Sequence, residues 1–205
     1  KQAGADMLEV LPPFDVRPYR RLVNKPDVPY QFFKDLAREI DMPMALFKYP
    51  VEIGLSYPIE TIVRIAEDIE QVVAMKATCY TCADYYQLWS RLKGKLSVFV
   101  TGGDTVDMLG QMMIGADGAQ AGIMAIGRPN WSRFIALCLD GKYTEARNLF
   151  VDKLAPLSDH IYGVASRGHP HRTGSTTALI KEALVAMGMF SSARVRPPDL
   201  DATKE

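Results

Sequence analysis

Gln71-Val72-Val73-Ala74-Met75-Lys76 is an apolar run that ends in an amine. Such a run is typical of a strand buried on both faces of a parallel sheet, and reactive groups gather at the carboxyl ends of such strands. Apolar neighbours would disfavour the charged form of Lys76, so that a neutral amine becomes available to form an imine with a carbonyl compound. For the run taken alone, a lysine that extends its amine to solvent is the more frequent outcome.

Short apolar runs alternate with amphipathic helical stretches on both sides of Lys76. The strand-like runs are Met7–Leu11, Pro43–Phe47, the run ending in Lys76, Leu96–Val100 and Ala119–Ile126. Between them, Asp27 is expected to cap a helix, Pro58 to open one and Thr81 to cap another. Five strand–helix units in regular succession predict parallel strands joined by helical crossovers.

The alternation stops after Gly141. Residues 144–162 and 175–187 have helical patterns with no strand between them. We therefore predict a strand–helix region over residues 1–141 and a helical extension with a polar tail over residues 142–205.

Composition excludes several classes of protein. The chain has 205 residues, of which 48% are hydrophobic, enough for one sizeable core. Its 24 basic and 24 acidic residues balance, which disfavours nucleic acid as a partner. No apolar stretch approaches the roughly 18 residues of a membrane span, and no secretory signal opens the chain. Three cysteines do not make a disulfide framework, so we expect a cytoplasmic protein.

Three further motifs are weak signals. Cys79 and Cys82 have the spacing of redox and zinc sites, but no second pair accompanies them, and we predict no special role. His169 and His171 lack a cysteine or carboxylate partner at ligand spacing, which disfavours a metal site. Gly102-Gly103 lacks the remaining glycines of a dinucleotide fingerprint.

Several segments of the chain, in their order and spacing, resemble those of a known protein family. They are Gly4-Ala5-Asp6 leading to Pro12-Pro13-Phe14, Tyr30–Lys34, Val73–Thr78, Gly102-Gly103-Asp104, Leu109 through Gly118, Lys181–Leu184, Gly188 and Arg194–Pro198. In these segments the chain resembles the dihydrodipicolinate synthase and N-acetylneuraminate lyase family of class I, pyruvate-handling aldolases. The resemblance implies a (β/α)8 TIM barrel with a C-terminal helical extension, of which this chain would hold strands 4–8, the C-terminal two-thirds of a family member.

The resemblance also implies a site. Lys76 falls on the family's Schiff-base lysine, which condenses with pyruvate or a related 2-oxo acid without a metal or organic cofactor. Gly103 falls in the turn that lines the pocket, and Gln120 falls where a backbone carbonyl points at the imine. Family members are commonly homotetramers or dimers, so a homo-oligomer is implied.

The chain departs from the family at three site positions. Phe47 stands where family members have a tyrosine that relays protons. A phenyl ring can neither donate nor accept a proton. Tyr49 shares the strand face of Phe47 and is a candidate substitute, with a packing role as the alternative. Asp15 follows Pro13-Phe14, where a second tyrosine is expected, and is a candidate acid–base group, with a capping or loop role as the alternative. Glu52 replaces an arginine that grips a carboxylate. These changes favour a lyase, aldolase or dehydratase for another 2-oxo acid over an orthodox dihydrodipicolinate synthase.

Length is the last departure. The resemblance begins near the family's fourth strand, and five strands cannot close an eight-stranded barrel. We therefore expect the sequence to be part of a longer protein, and a polypeptide of these residues alone would not be expected to be active. Two alternatives remain open: a non-catalytic family member that binds a small carbonyl compound or has a regulatory role, and a partner-binding half-barrel.

Overall fold

The computed structural model describes residues 4–11, 25–50, 56–101, 105–163, 175–199 and 201–202. The chain divides into two compact units, which are considered separately. The first unit comprises Lys1–Gly102 and Gly110–Ala119, and the second comprises Gly103–Leu109 and Gln120–Glu205.

Five parallel strands form one sheet within the described part of the first unit. They are β1 (Leu8–Val10), β2 (Met44–Lys48), β3 (Val72–Ala77), β4 (Ser97–Val100) and β5 (Gly118–Ala119). Their spatial order is β1-β2-β3-β4-β5, so every crossover advances by one strand in the same direction. A doubly wound sheet would reverse its order at a switch point, whereas this sequential order is that of a barrel. The predicted parallel strands with helical crossovers are confirmed.

Helices connect the strands. They are α1 (Asp27–Glu39), α2 (Ile59–Asp68), α3 (Cys82–Leu92) and α4 (Thr105–Ile114). Thr81 caps α3 as predicted, since its hydroxyl accepts a hydrogen bond from the backbone N–H of Asp84 at 3.1 Å. Pro58 precedes α2, also as predicted. The cap predicted at Asp27 is wrong by one position, because Pro26 occupies the N-cap and Asp27 is the first helical residue.

The hydrophobic core of the first unit lies on one face of the sheet. Leu46, Met75 and Val98 pair in register on β2, β3 and β4, and all three are fully buried. The helices that cross over present buried side chains of their own, which are Phe33, Ile62, Ile65, Tyr85, Leu88 and Leu92. Because successive side chains of a strand alternate between faces, the neighbours of these core residues, including Lys76, lie on the opposite face.

The fifth strand is shorter than predicted. Only Gly118–Ala119 pairs with β4, and Gly122–Ala125 forms a 3-10 helix in place of the strand predicted through Ile126. The backbone N–H of Ile126 donates to the carbonyl of Ile123 at 2.9 Å, so local turns satisfy hydrogen bonds that a strand would have exchanged with a neighbour. The stretch between β5 and Ile123 is rich in alanine and glycine, which have low strand propensity.

The second unit is helical beyond this turn. It contains α5 (Arg128–Leu139), α6 (Tyr143–Leu149), α7 (Ala155–Ser158) and α8 (Thr176–Ala186), with π-helical segments at Phe150–Leu154 and Asp159–Gly163. The helices predicted over residues 144–162 and 175–187 are thus confirmed. The predicted division of the chain at residue 141 stays a prediction.

Pro156 accounts for the first π-helical segment. A proline inside a helix clashes with the carbonyl four residues before it and lacks an N–H of its own. Here the turn widens just before the proline, and the N–H of Ala155 donates to the carbonyl of Phe150, five residues back. Among the helices of the described residues, none combines the length and the apolar character that a transmembrane segment requires.

Candidate active site

Lys76 stands near the carboxyl end of the central strand of the sheet. It pairs in register with Phe47 on β2 and with Phe99 on β4. Residues in register on parallel strands share a face, so these three side chains lie together on the face opposite the buried Leu46, Met75 and Val98.

The amine of Lys76 meets a carboxylate from a strand two positions away. Its Nζ lies 3.0 Å from Oε1 of Glu9 on β1, and the two side chains are 16% and 27% exposed. Glu9 pairs in register with Ala45, which lies two residues before Phe47 on β2. Glu9 therefore lies on the same face of the sheet as Phe47, two residues closer to the amino ends of the strands. Since β1 and β3 are separated by about 10 Å, both side chains have to lean across β2 to meet.

Phe47 supplies the surface that the Lys76 side chain crosses. The Nζ of Lys76 lies 4.0 Å from the centroid of the Phe47 ring, within the range of a cation–π contact. The ring and the Glu9 carboxylate both stabilise an ammonium group. The sequence predicted apolar neighbours that disfavour the charged form of this amine. Phe47 is such an apolar neighbour, but the prediction left out Glu9, whose carboxylate favours the charged form.

Tyr49 follows β2 and stacks on Phe47. Their ring centroids are 4.3 Å apart with an angle of 30° between the planes, as expected for side chains on one strand face. Burial raises the pKa of the Tyr49 phenol above its ordinary value, and the nearby negative charge of Glu9 raises it further. Tyr49 therefore keeps its proton at neutral pH and is suited to donate a hydrogen bond rather than to accept a proton.

Glu9 was missed in the sequence-based prediction of the site. It interrupts the otherwise apolar run from Met7 to Leu11, and a charged residue inside a buried strand has to be paired. That interruption is the signal that could have identified it. Its partner could not be derived from the sequence, because Lys76 is 67 residues away along the chain.

A separate cavity opens on the opposite face of β2. It has a volume of about 190 Å³, and its lining includes Lys48, Pro50, Tyr57, Cys79, Asp84 and Leu88. Lys48 is 6% exposed, and its Nζ donates a hydrogen bond to the backbone carbonyl of Tyr49 at 3.2 Å. The end of the sheet thus carries two lysines, one on each face.

Comparison with known families adds a decisive observation. The profile described as the Dihydrodipicolinate synthetase family matches residues 1–205. The chain belongs to this family. The resemblance inferred from the sequence segments is confirmed.

Two relatives indicate how much of a family member the chain represents. A 4-hydroxy-tetrahydrodipicolinate synthase of Aquifex aeolicus is 26% identical over 149 residues, which are 73% of this chain and 48% of the relative. An uncharacterized DapA-like lyase of Pyrobaculum neutrophilum is 29% identical over 157 residues, which are 77% of this chain and 49% of the relative. The chain spans about half the length of the curated relatives it matches.

A solved family structure shares the fold. The chloride-inhibited dihydrodipicolinate synthase of Acinetobacter baumannii, solved in complex with pyruvate, superposes with a TM-score of 0.78 at 24% identity. The match covers 99% of this chain and 62% of that one. The five strands described above therefore correspond to the C-terminal portion of the TIM barrel of the family.

The remaining site residues implied by the family resemblance have different outcomes. Gln120 directly follows β5, is exposed and begins the longer segment of the second unit, and its role stays a prediction. Gly103 lies outside the described residues. The same holds for the departures at Asp15 and Glu52 and for the histidine pair, His169 and His171.

The cysteines form no ligand cluster within the described ranges. Cys79 is buried, Cys82 is half-buried and is the first residue of α3, and neither forms a disulfide. Across these ranges, no group of three or more histidine, cysteine, aspartate or glutamate side chains is arranged to hold a metal ion. Cys138 is a core residue of α5, and burial raises the pKa of its thiol to about 11.

Proposed function

We propose that the protein containing this chain is a class I lyase that forms an imine between Lys76 and pyruvate or a related 2-oxo acid. The observation that carries the proposal is the position of the Lys76 amine, near the carboxyl end of the central strand and in contact with a carboxylate. Membership of the family supports it, and so does the pyruvate bound in the related synthase of Acinetobacter baumannii.

The proposed chemistry needs the amine in its neutral form. Lys76 would release a proton and attack the carbonyl carbon of the 2-oxo acid, and loss of water would give an iminium ion. The iminium withdraws electrons from the adjacent carbon, so a carbon–carbon or carbon–oxygen bond two atoms away can break or form. This step uses the lysine and the substrate, with no further cofactor.

The departures at the site favour a substrate other than that of the synthases. Phe47 cannot relay a proton, and Glu52 would repel the acidic end of a substrate that an arginine would hold. The proposed activity is therefore that of an aldolase, dehydratase or other lyase acting on a 2-oxo acid without a carboxylate at its distal end.

Other elements of the proposal follow from the family resemblance. Phe47 and Tyr49 would form an aromatic wall beside the substrate, and Gly103 and Gln120 would have the substrate-binding roles that the resemblance implies. A homo-oligomer, a tetramer or a dimer, and a cytoplasmic location belong to the same proposal.

A second candidate function is a non-catalytic protein that binds a small carbonyl compound. The ion pair favours it, because Glu9 stabilises the ammonium form of Lys76, which is not nucleophilic. The phenyl ring of Phe47 favours it also, since it removes the family's proton relay. This candidate predicts binding of 2-oxo acids without a covalent adduct and without turnover.

Trapping with borohydride separates the two functions. The full-length protein is incubated with a series of 2-oxo acids, reduced with borohydride and analysed by intact-mass spectrometry. The lyase predicts a stable adduct with at least one of these acids, together with release or consumption of the acid when aldehydes are screened as second substrates. Saturable binding with no adduct for any acid would overturn the lyase and support the binding protein.

A further inference from the structure

We propose that Glu9 is the acid–base residue of imine formation at Lys76 and takes over the proton transfers for which Phe47 lacks a group. The inference rests on the proposed function. It is an assignment to a residue on β1, a strand to which the family resemblance attaches no catalytic side chain.

The first argument is distance. A general base must lie within about 2.6–3.2 Å of the atom whose proton it takes. Oε1 of Glu9 lies 3.0 Å from Nζ of Lys76, on the same face of the sheet. The contact joins the carboxylate directly to the reacting atom.

The second argument is that no other titratable group on the described strands β1 to β4 is as well placed to accept a proton from Lys76. The titratable side chains on β1 to β4 are Glu9, Lys48 and Lys76, and Tyr49 follows β2. Lys48 points to the opposite face and contacts the cavity there. Tyr49 holds its proton more firmly than an ordinary tyrosine, so it is a poor base at neutral pH. Within the described part of the sheet, Glu9 is the group suited to accept a proton from Lys76.

The third argument is that Glu9 alone can carry out every proton transfer of imine formation. The Glu9 carboxylate takes a proton from the Lys76 ammonium, and the freed lone pair forms the C–N bond as the carbonyl π electrons move to oxygen. Glu9 returns the proton to that oxygen, which gives a hydroxyl, and then takes a second proton from nitrogen. It delivers this proton to the hydroxyl as the nitrogen lone pair forms the C=N bond and water leaves. The sum is ammonium plus ketone to iminium plus water, with Glu9 again ionised.

A purely structural role for Glu9 makes a different prediction. As a counter-ion, Glu9 would only hold the Lys76 side chain over the Phe47 ring, and its removal would change the position of the amine. A counter-ion also favours the ammonium form, so removing it would make the neutral amine more available, and imine formation at neutral pH would keep its rate or become faster. As an acid–base group, Glu9 carries the protons of the reaction, and its removal slows imine formation at neutral pH.

Rapid-quench trapping of pyruvate, or of the 2-oxo acid that reacts best, tests the inference. The rate of imine formation is measured across pH for the full-length wild type, Glu9→Gln and Glu9→Asp. Glu9→Gln keeps the size and polarity of the side chain but cannot take a proton. We expect it to slow imine formation at neutral pH about 100-fold or more. The slowed reaction should recover as pH rises and hydroxide deprotonates Lys76, and Glu9→Asp should keep part of the rate.

The outcomes are distinguishable. A wild type that gives no adduct with any 2-oxo acid contradicts the proposed function itself. A wild type that reacts, alongside a Glu9→Gln variant that forms the imine at an equal or higher rate at neutral pH, contradicts only the assignment of Glu9. Thermal unfolding and near-UV circular dichroism check that the variants fold. If Glu9→Gln does not fold, the rate of Glu9→Asp at neutral pH decides: a rate equal to or above that of the wild type contradicts the assignment, and a lower rate that recovers as pH rises supports it.

Discussion

The Lys76 ammonium and the Glu9 carboxylate form a 3.0 Å ion pair that spans the strand between them and lies over the ring of Phe47. This relationship joins β1, β2 and β3 on the face of the sheet opposite the helix-covered core. In the proposed chemistry, Lys76 is the nucleophile and Glu9 is the group that carries its proton.

The charge of Glu9 should be measurable at Tyr49. Because Glu9 is the second cause of the raised Tyr49 pKa, after burial, Glu9→Gln should lower that pKa while leaving it above its ordinary value of 10.0. The absorbance of tyrosinate during alkaline titration measures it. Subtracting the titration of Tyr49→Phe, in the wild-type and the Glu9→Gln background, isolates this residue from the other tyrosines. An equal Tyr49 pKa in both backgrounds would contradict the electrostatic contact.

Tyr85 should make the fold sensitive to alkali. Burial is the main cause that raises its pKa above the ordinary value of 10.0, with Asp117 and Cys79 adding to the shift. The unfolded chain therefore loses this proton at a lower pH than the folded chain does. The stability from Tyr85 is fully present below pH 10 and is lost as pH rises above it, by up to about 1.4 kcal/mol per pH unit.

Tyr85→Phe is the matched variant for that effect. It removes the ionisable group and, with it, a long hydrogen bond of 3.4 Å to the carbonyl of Val98. Urea unfolding at several pH values measures the free energy of unfolding. At neutral pH it should be slightly lower for the variant than for the wild type, and above pH 10 this difference should shrink. Parallel losses of stability in the two proteins above pH 10 would show that Tyr85 is not the cause.

The helix that follows the Lys76 strand depends on its cap. Thr81 accepts a hydrogen bond from the N–H of Asp84 and satisfies one of the free donors of the first turn of α3. Thr81→Ala should lower the free energy of unfolding by about 1 kcal/mol, and Thr81→Ser should retain most of it. Urea unfolding followed by circular dichroism measures both. Equal stabilities of the alanine and serine variants would contradict the cap.

Gly118 makes room for the ring of Phe99 beside Lys76. A Cβ added at Gly118 would lie 2.8 Å from two atoms of that ring, closer than such atoms approach one another. Gly118→Ala should therefore cost about 1–3 kcal/mol, as overpacking does. Phe99→Leu removes the ring, so the same glycine substitution should cost clearly less in that background. A double-mutant cycle with no coupling would contradict this contact.

The rates at which two cysteine thiols are alkylated test the burial of Cys138 in the helical unit. Burial raises the pKa of Cys138 to about 11, so little reactive thiolate exists at neutral pH. In the native protein, iodoacetamide should leave Cys138 unmodified far longer than in urea, whereas the half-buried Cys82 should be less protected. Peptide mass spectrometry measures both sites. Rapid native labelling of Cys138 would contradict its placement in the core.

The fold was predictable from local patterns. Periodicity located the strands from Met7–Leu11 to Leu96–Val100, and their regular alternation with helices implied parallel pairing. The pattern failed over residues 119–126, which are as apolar as a strand but pair with β4 only at Ala119, while Gly122–Ala125 forms a 3-10 helix. Hydrophobicity cannot distinguish a short apolar turn from a strand when β-branched residues are few.

The site was predictable only in part. The position of Lys76 at the end of an apolar run suggested it as a site residue, and that role stays a prediction. Strand alternation predicted that Phe47 and Tyr49 share one face, which their stacking confirms. Glu9 was not found, because its role depends on a contact across an intervening strand that no local pattern encodes. The sequence led us to expect that the Lys76 amine is buried. Its charged partner could be identified only from the register of three strands.

Localisation of the trapped adduct tests the central claim most directly. The full-length protein is reduced with borohydride in the presence of a reacting 2-oxo acid, and the modified peptide is sequenced by mass spectrometry. Lys76→Arg serves as the loss-of-function variant, and Lys48→Arg, at a second lysine buried on the opposite face of the neighbouring strand, serves as the matched control. We predict an adduct on Lys76 that Lys76→Arg abolishes and Lys48→Arg leaves in place. An adduct on another lysine that survives in Lys76→Arg would contradict the account.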